Sequence, residues 1–147
     1  MEKLEFRTVI ASSRQKAWET MLNPKTYKEW VGAAWPGSTY QGEWKEGEDI
    51  RFVGDDSSGT LAHLVEYRPY DYILAEHVAV LKQGVEDRDS DEAKGWIGTM
   101  ESYKFTEQNG QTELTVIIET NPEWASMFSD GWPKALAKLK EICERTN

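Results

Sequence analysis

The chain contains two histidines, His63 and His77, and each sits in an apolar, alternating stretch. Glu101 opens a third such stretch, and Tyr103 follows two residues later. A carboxyl group buried beside an imidazole can do general acid–base work, because burial raises its pKa towards neutrality. Two histidines and a glutamate also make a metal triad by residue type, although the close spacing of a metal-binding motif is absent. All four side chains fit equally well as hydrogen-bonded residues of a core or of its wet end. The run Asp87–Glu92 begins like a calcium loop, but Glu92 stands where the sixth-position glycine belongs and Gly98 where the twelfth-position glutamate belongs. It reads as a solvated acidic loop. Cys143 has no histidine near it in sequence and reads as packing. There is no phosphate-binding glycine loop, nucleophile elbow or HExxH motif. The catalytic candidates are therefore Glu101, His63 and His77, with no metal and no cofactor expected.

The elements that must position these groups follow from periodicity. Residues 3–10 alternate as a half-buried strand. Ser12 with Gln15 has the form of a capping box, and Ala17, Trp18, Met21 and Leu22 give the helix behind it an apolar stripe. Asn23-Pro24 ends that helix and starts a second, with Tyr27, Trp30 and Val31 facing inward. Short strands are then expected over 40–44, 49–54, 60–68 and 72–81. Residues 82–95 read as a polar loop. The strands 96–107 and 111–120 form a hairpin about Asn109-Gly110. Asn121-Pro122 opens a long helix whose stripe of Trp124, Phe128, Trp132, Ala135, Leu139 and Ile142 spans about five turns. Pro133 predicts a kink near residues 129–133. The order is one strand, two short helices, six strands and a long helix, β-α-α-β6-α. Short connections make the strands antiparallel, so the class is α+β, with the last helix on the sheet's apolar face.

Strand parity maps the inner face. Pairing Gln108 with Gln111 places Phe105 opposite Leu114, Tyr103 opposite Val116 and Glu101 opposite Ile118, all on the inner side. In the strand over 60–68, His63, Val65 and Tyr67 are expected to point inward. In the strand over 72–81, Ile73, Ala75, His77, Ala79 and Leu81 are expected to do so. A three-residue turn at 69–71 would pair His63 with His77, whereas a two-residue turn would not. Tyr40, Trp44, Ile50 and Phe52 add to the wall, and Phe128, Trp132, Leu136 and Leu139 supply the side contributed by the helix.

The succession Ala11-Ser12-Ser13, Ala17-Trp18, Asn23-Pro24 with Trp30, Gly42-Glu43-Trp44, Glu66-Tyr67-Arg68-Pro69, Asn109 to Leu114, and Gly131-Trp132 before Leu136 to Lys140 resembles the START-like (SRPBCC) superfamily. The resemblance covers essentially the whole chain. It is nearest to the branch of homologues of the activator of heat-shock protein 90 ATPase. It implies a helix-grip fold, a curved antiparallel sheet around the C-terminal helix with an apolar cavity between them. The scaffold serves several functions, so fold alone does not name one. The resemblance admits a binding module for a small hydrophobic molecule, a chaperone-cofactor-like partner-binding domain, and a cyclase- or hydrolase-like enzyme.

Composition narrows these classes. A chain of 147 residues is one domain's worth, expected over 1–147. Its formal charge of −9 and the lack of a basic stripe speak against nucleic acid and anionic membrane surfaces. No apolar run approaches a membrane span, and the N-terminal residues do not read as a signal peptide. One cysteine excludes an internal disulfide, so a cytoplasmic location is expected. Seven tryptophans and six tyrosines suit either an aromatic core or a lined pocket. The leading expectation is a small apolar ligand, with a protein partner as the alternative. The ligand-binding candidates are Tyr40, Trp44, Phe52, His63, Val65, Tyr67, Ala75, His77, Ala79, Tyr103, Phe128, Trp132 and Leu136.

Overall fold

The computed structural model describes residues 2–145; Met1, Thr146 and Asn147 of the expected 1–147 domain lie outside the described residues. The elements run β1 (Glu2–Ile10), α1 (Arg14–Leu22), α2 (Pro24–Gly32), β2 (Thr39–Gln41), β3 (Asp49–Val53), β4 (Gly59–Arg68), β5 (Tyr72–Lys82), β6 (Val85–Asp87), α3 (Asp91–Trp96), β7 (Met100–Gln108), β8 (Gln111–Thr120) and α4 (Pro122–Arg145). The sheet is antiparallel, in the order β1-β8-β7-β5-β4-β3-β2, with β6 paired to β5. It curls around α4 in a helix-grip arrangement.

Local chemistry accounts for most boundaries. Asn109 and Gly110 both take positive φ, 57° and 78°, as a two-residue hairpin turn requires. Gln108 therefore pairs with Gln111, and Glu101, Tyr103 and Phe105 face the same side as Ile118, Val116 and Leu114. Asn23 caps α2 through its Oδ1 and the Lys25 N–H, with Pro24 in the first turn. Asn121 Oδ1 accepts the Glu123 N–H at the start of α4.

Two expectations change. The cap of α1 is Ser13, whose Oγ accepts the Lys16 N–H, because Ser12 is tied to the strands by its N–H to Ile10 and its carbonyl to Thr112. The stretch 82–95 is structured: it holds β6 and α3, and Ser90 caps α3 while Asp91 and Glu92 favour its positive end. Trp96 therefore ends a helix, and β7 begins only at Met100. Helix α4 continues through Gly131 and Pro133 as one element.

The concave face is filled unevenly. Near the β4–β5 turn, Trp18 of α1 packs on Phe105 at 5.1 Å and on Tyr67 at 5.4 Å, so that end is solid. Towards α3 and the first turns of α4 the sheet is not filled, and a cavity remains.

Candidate functional site

The cavity has a volume of about 530 Å³. Its walls come from β3–β5, β7, α2, α3 and the N-terminal half of α4, with eight aromatic rings: Tyr27, Trp35, Phe52, Trp96, Tyr103, Trp124, Phe128 and Trp132. Lys82, Glu92 and Met127 line it and are exposed, which marks its mouth.

Three polar groups gather in it. Glu101, at the centre of the sheet between Ala75 and Ile118, is 9% exposed. One carboxylate oxygen accepts the Tyr103 hydroxyl, and the other lies 3.7 Å from His77 Nε2. The backbone holds His77 in place: its N–H donates to the Thr99 carbonyl and its own carbonyl accepts the Gly98 N–H. The same turn places Trp96 against the imidazole, with ring centroids 5.7 Å apart. Burial, then the charge of Glu101 and the hydrogen bond to it, push the Tyr103 hydroxyl well above its ordinary pKa. Burial and Glu101 do the same to Tyr27. Both phenols are therefore fixed as neutral hydroxyls. His77 Nδ1 and Trp132 Nε1 are buried without a hydrogen-bond partner among the described residues. The group thus brings to the cavity wall a carboxyl group, a neutral phenol that already donates to it, and an imidazole.

Of the residues the sequence singled out, Phe52, His77, Glu101, Tyr103, Phe128 and Trp132 line this cavity. Tyr40, Trp44, Tyr67, Ala75 and Leu136 point inward but pack in the core behind it. Tyr40 meets Trp44 edge to face, Trp44 packs at a tilt against Phe52, and Tyr67 packs on Trp18.

His63, Val65 and Ala79 are corrections. The turn at 69–71 does have three residues, since Arg68 pairs with Tyr72, but Val65 is an extra residue in β4. Beyond it the register moves by one, so His77 pairs with Ala62 and His63 with Glu76. His63 thereby faces outward, its Nδ1 2.9 Å from Asp49, and Val65 is 38% exposed. A second extra residue, Val78, turns Val80 inward and sends Ala79 to a separate cluster with Val53, Leu61 and Leu81. The two histidines are not neighbours, and the His63–His77–Glu101 triad is not assembled. Asp87 does not open an ion loop: its carboxylate accepts the Ser90 hydroxyl and N–H and pairs with Lys82 at 3.0 Å, which holds it well below the usual carboxylate range. Cys143 is buried beside α1, and burial raises its thiol pKa. Trp35, Val80 and Trp96 are cavity residues that alternation did not mark. Trp96 carried a signal in the Ser90-Asp91-Glu92 helix start that precedes it.

Residues 11–144 match the sequence pattern of the family described as "Activator of Hsp90 ATPase homolog 1-like protein". No curated protein matches the chain in sequence. A protein of Mesorhizobium loti superposes with a TM-score of 0.74 at 13% identity, covering 99% of both chains. Aha1 from Colwellia psychrerythraea, solved as a dimer, gives 0.71 at 19% identity over 98% of this chain and 97% of that one. CalU16 from Micromonospora echinospora gives 0.67 at 13% identity, over 96% and 75%. At these identities the superpositions speak for the fold alone. No helix among the described residues is long and apolar enough to cross a membrane. With a family match over nearly the whole chain and the helix-grip architecture in place, the chain belongs to the Activator of Hsp90 ATPase homolog 1-like family of START-like domains.

Proposed function

We propose that the chain is a single START-like domain of the cytoplasm that binds a small apolar molecule in the cavity between the sheet and α4. The observation that carries this reading is the cavity itself, about 530 Å³ walled by aromatic rings with its polar groups gathered at His77, Glu101 and Tyr103. Small-molecule sites are built this way, with an apolar wall for affinity and a few polar groups for orientation. The reading calls for no cofactor.

Thermal unfolding against a panel of lipids and apolar aromatic metabolites tests it. A ligand at a hundredfold excess over its Kd adds about 2.7 kcal/mol, which raises Tm by roughly 5–11 °C at this chain length. Thr60→Trp, which fills the cavity from β4, should abolish the shift. A panel without any shift refutes the reading, and a shift that survives Thr60→Trp moves the site elsewhere.

The 3.7 Å approach of His77 to Glu101 favours a second reading, proton transfer on a carbonyl-bearing apolar substrate. Glu101→Gln should then abolish turnover while ligand binding persists. Binding to a protein partner, the role carried in the family's name, calls for a contiguous exposed apolar patch. The large apolar residues more than a third exposed are Val9, Val65, Tyr70, Val85, Ile97 and Met127, which lie on six different segments.

A further inference from the structure

Resting on the cavity reading above, we infer that the molecule bound carries a positive charge: it is an apolar organic cation, a quaternary or protonated amine, with its charge at Glu101 and its substituents against the surrounding rings. A carboxylate taken out of water is costly unless an opposite charge or several donors accompany it. Glu101 is 9% exposed, yet among the described residues the basic group beside it is a histidine at 3.7 Å rather than a lysine or arginine, and its one direct donor is a neutral phenol. The side chain keeps 11% of its surface, and it lines the cavity.

The cavity walls on this side are aromatic. Tyr103 contacts Trp132 at 6.1 Å between centroids, His77 contacts Trp96 at 5.7 Å, and Trp96 contacts Phe128 at 5.9 Å. A cation within about 6 Å of such faces is attracted by the ring quadrupoles, most strongly where water is excluded. Rings and carboxylate together form a cage for an ammonium group.

Charge elsewhere agrees. At the mouth, Lys82 is already paired with Asp87 at 3.0 Å, and Glu92 also lines the cavity. The net charge of −9 draws cations towards the surface and repels anions. An anionic group in the cavity would instead meet the Glu101 carboxylate that lines it.

The test compares three probes on the full chain: benzyltrimethylammonium, its uncharged isostere neopentylbenzene, and phenylacetate. Binding is read by tryptophan fluorescence, since four tryptophans line the cavity. On the unaltered protein the cation should bind at least tenfold more tightly than phenylacetate. Glu101→Gln should weaken the cation at least tenfold and leave neopentylbenzene within twofold, which also shows that the variant is folded. If that variant does not fold, the order of the three probes on the unaltered chain decides. Neopentylbenzene binding without the cation, or an equal loss of both in Glu101→Gln, overturns the cation and leaves the apolar cavity standing. Binding by none of the three overturns both.

Discussion

Replacing Gly131 by alanine sets helix propensity against packing. In a helix interior alanine is favoured over glycine by about 1 kcal/mol, so the change alone should strengthen α4. A methyl group there would lie 2.4 Å from Trp35 Cζ2 and 2.7 Å from Cε2. Carbon atoms pack at about 3.5–4.0 Å, so the indole must retreat by roughly 1 Å. Its ring meets Trp132 at 5.7 Å and Phe128 at 6.3 Å, and these contacts must shift with it. Overpacking of this kind costs about 1–3 kcal/mol, so packing wins, with a net loss of about 1 kcal/mol. Tm should fall by roughly 2–4 °C. Because Trp35 lines the cavity, the near-ultraviolet circular dichroism should change and any ligand-induced shift should shrink. Thermal unfolding followed by near-ultraviolet circular dichroism reads both. A variant stabilised by about 1 kcal/mol with an unchanged spectrum would refute the packing of Trp35 across α4, and with it this wall of the cavity.

Tyr103→Phe removes the hydroxyl that serves Glu101 and should cost about 1–3 kcal/mol in urea unfolding; a loss below about 0.5 kcal/mol would mean that the carboxylate does not depend on it. Burial and Glu101 raise the pKa values of Tyr27 and Tyr103, so above about pH 10 the unfolded chain releases protons that the folded chain keeps. Stability is therefore intact below that pH and falls above it, by about 1.4 kcal/mol per pH unit for each tyrosine. Tyr27→Phe should lower the slope between pH 10 and 11 by one proton's worth, and urea midpoints giving an unchanged slope would contradict its burial. His63→Ala breaks only an exposed pair with Asp49 and should change stability by less than about 1 kcal/mol. His77→Ala empties a buried site against Trp96, should cost about 2–4 kcal/mol, and alone of the two should alter ligand binding; equal effects in calorimetry would contradict the outward placement of His63.

What could be read from the sequence, and what could not, separates along physical lines. The Asn109-Gly110 turn permits one register, so the shared face of Glu101, Tyr103 and Phe105 followed from two residues. The caps at Asn23 and Asn121 were equally local. A bulge has no such signature. Val65 is apolar and keeps the odd-numbered alternation of His63 and Tyr67, so the pattern reads straight through the extra residue that reverses it. Six-residue α3 is too short for helical periodicity, and only its cap and first-turn acids marked it. The cavity is illegible for a different reason. Trp18, Tyr67 and Phe105 close one end of the sheet, while Trp96, Phe128 and Trp132 line the open end, and the two sets do not differ in residue type. Whether an aromatic residue fills a core or walls a pocket depends on where α1 and α4 run out of side chains against a curved sheet, which is a property of the assembled layers. The bulges then decide the chemistry. With Val65 and Val78 as extra residues, the concave face presents His77 and Val80 but not His63 or Ala79. The buried carboxyl group of Glu101 consequently meets one imidazole rather than two.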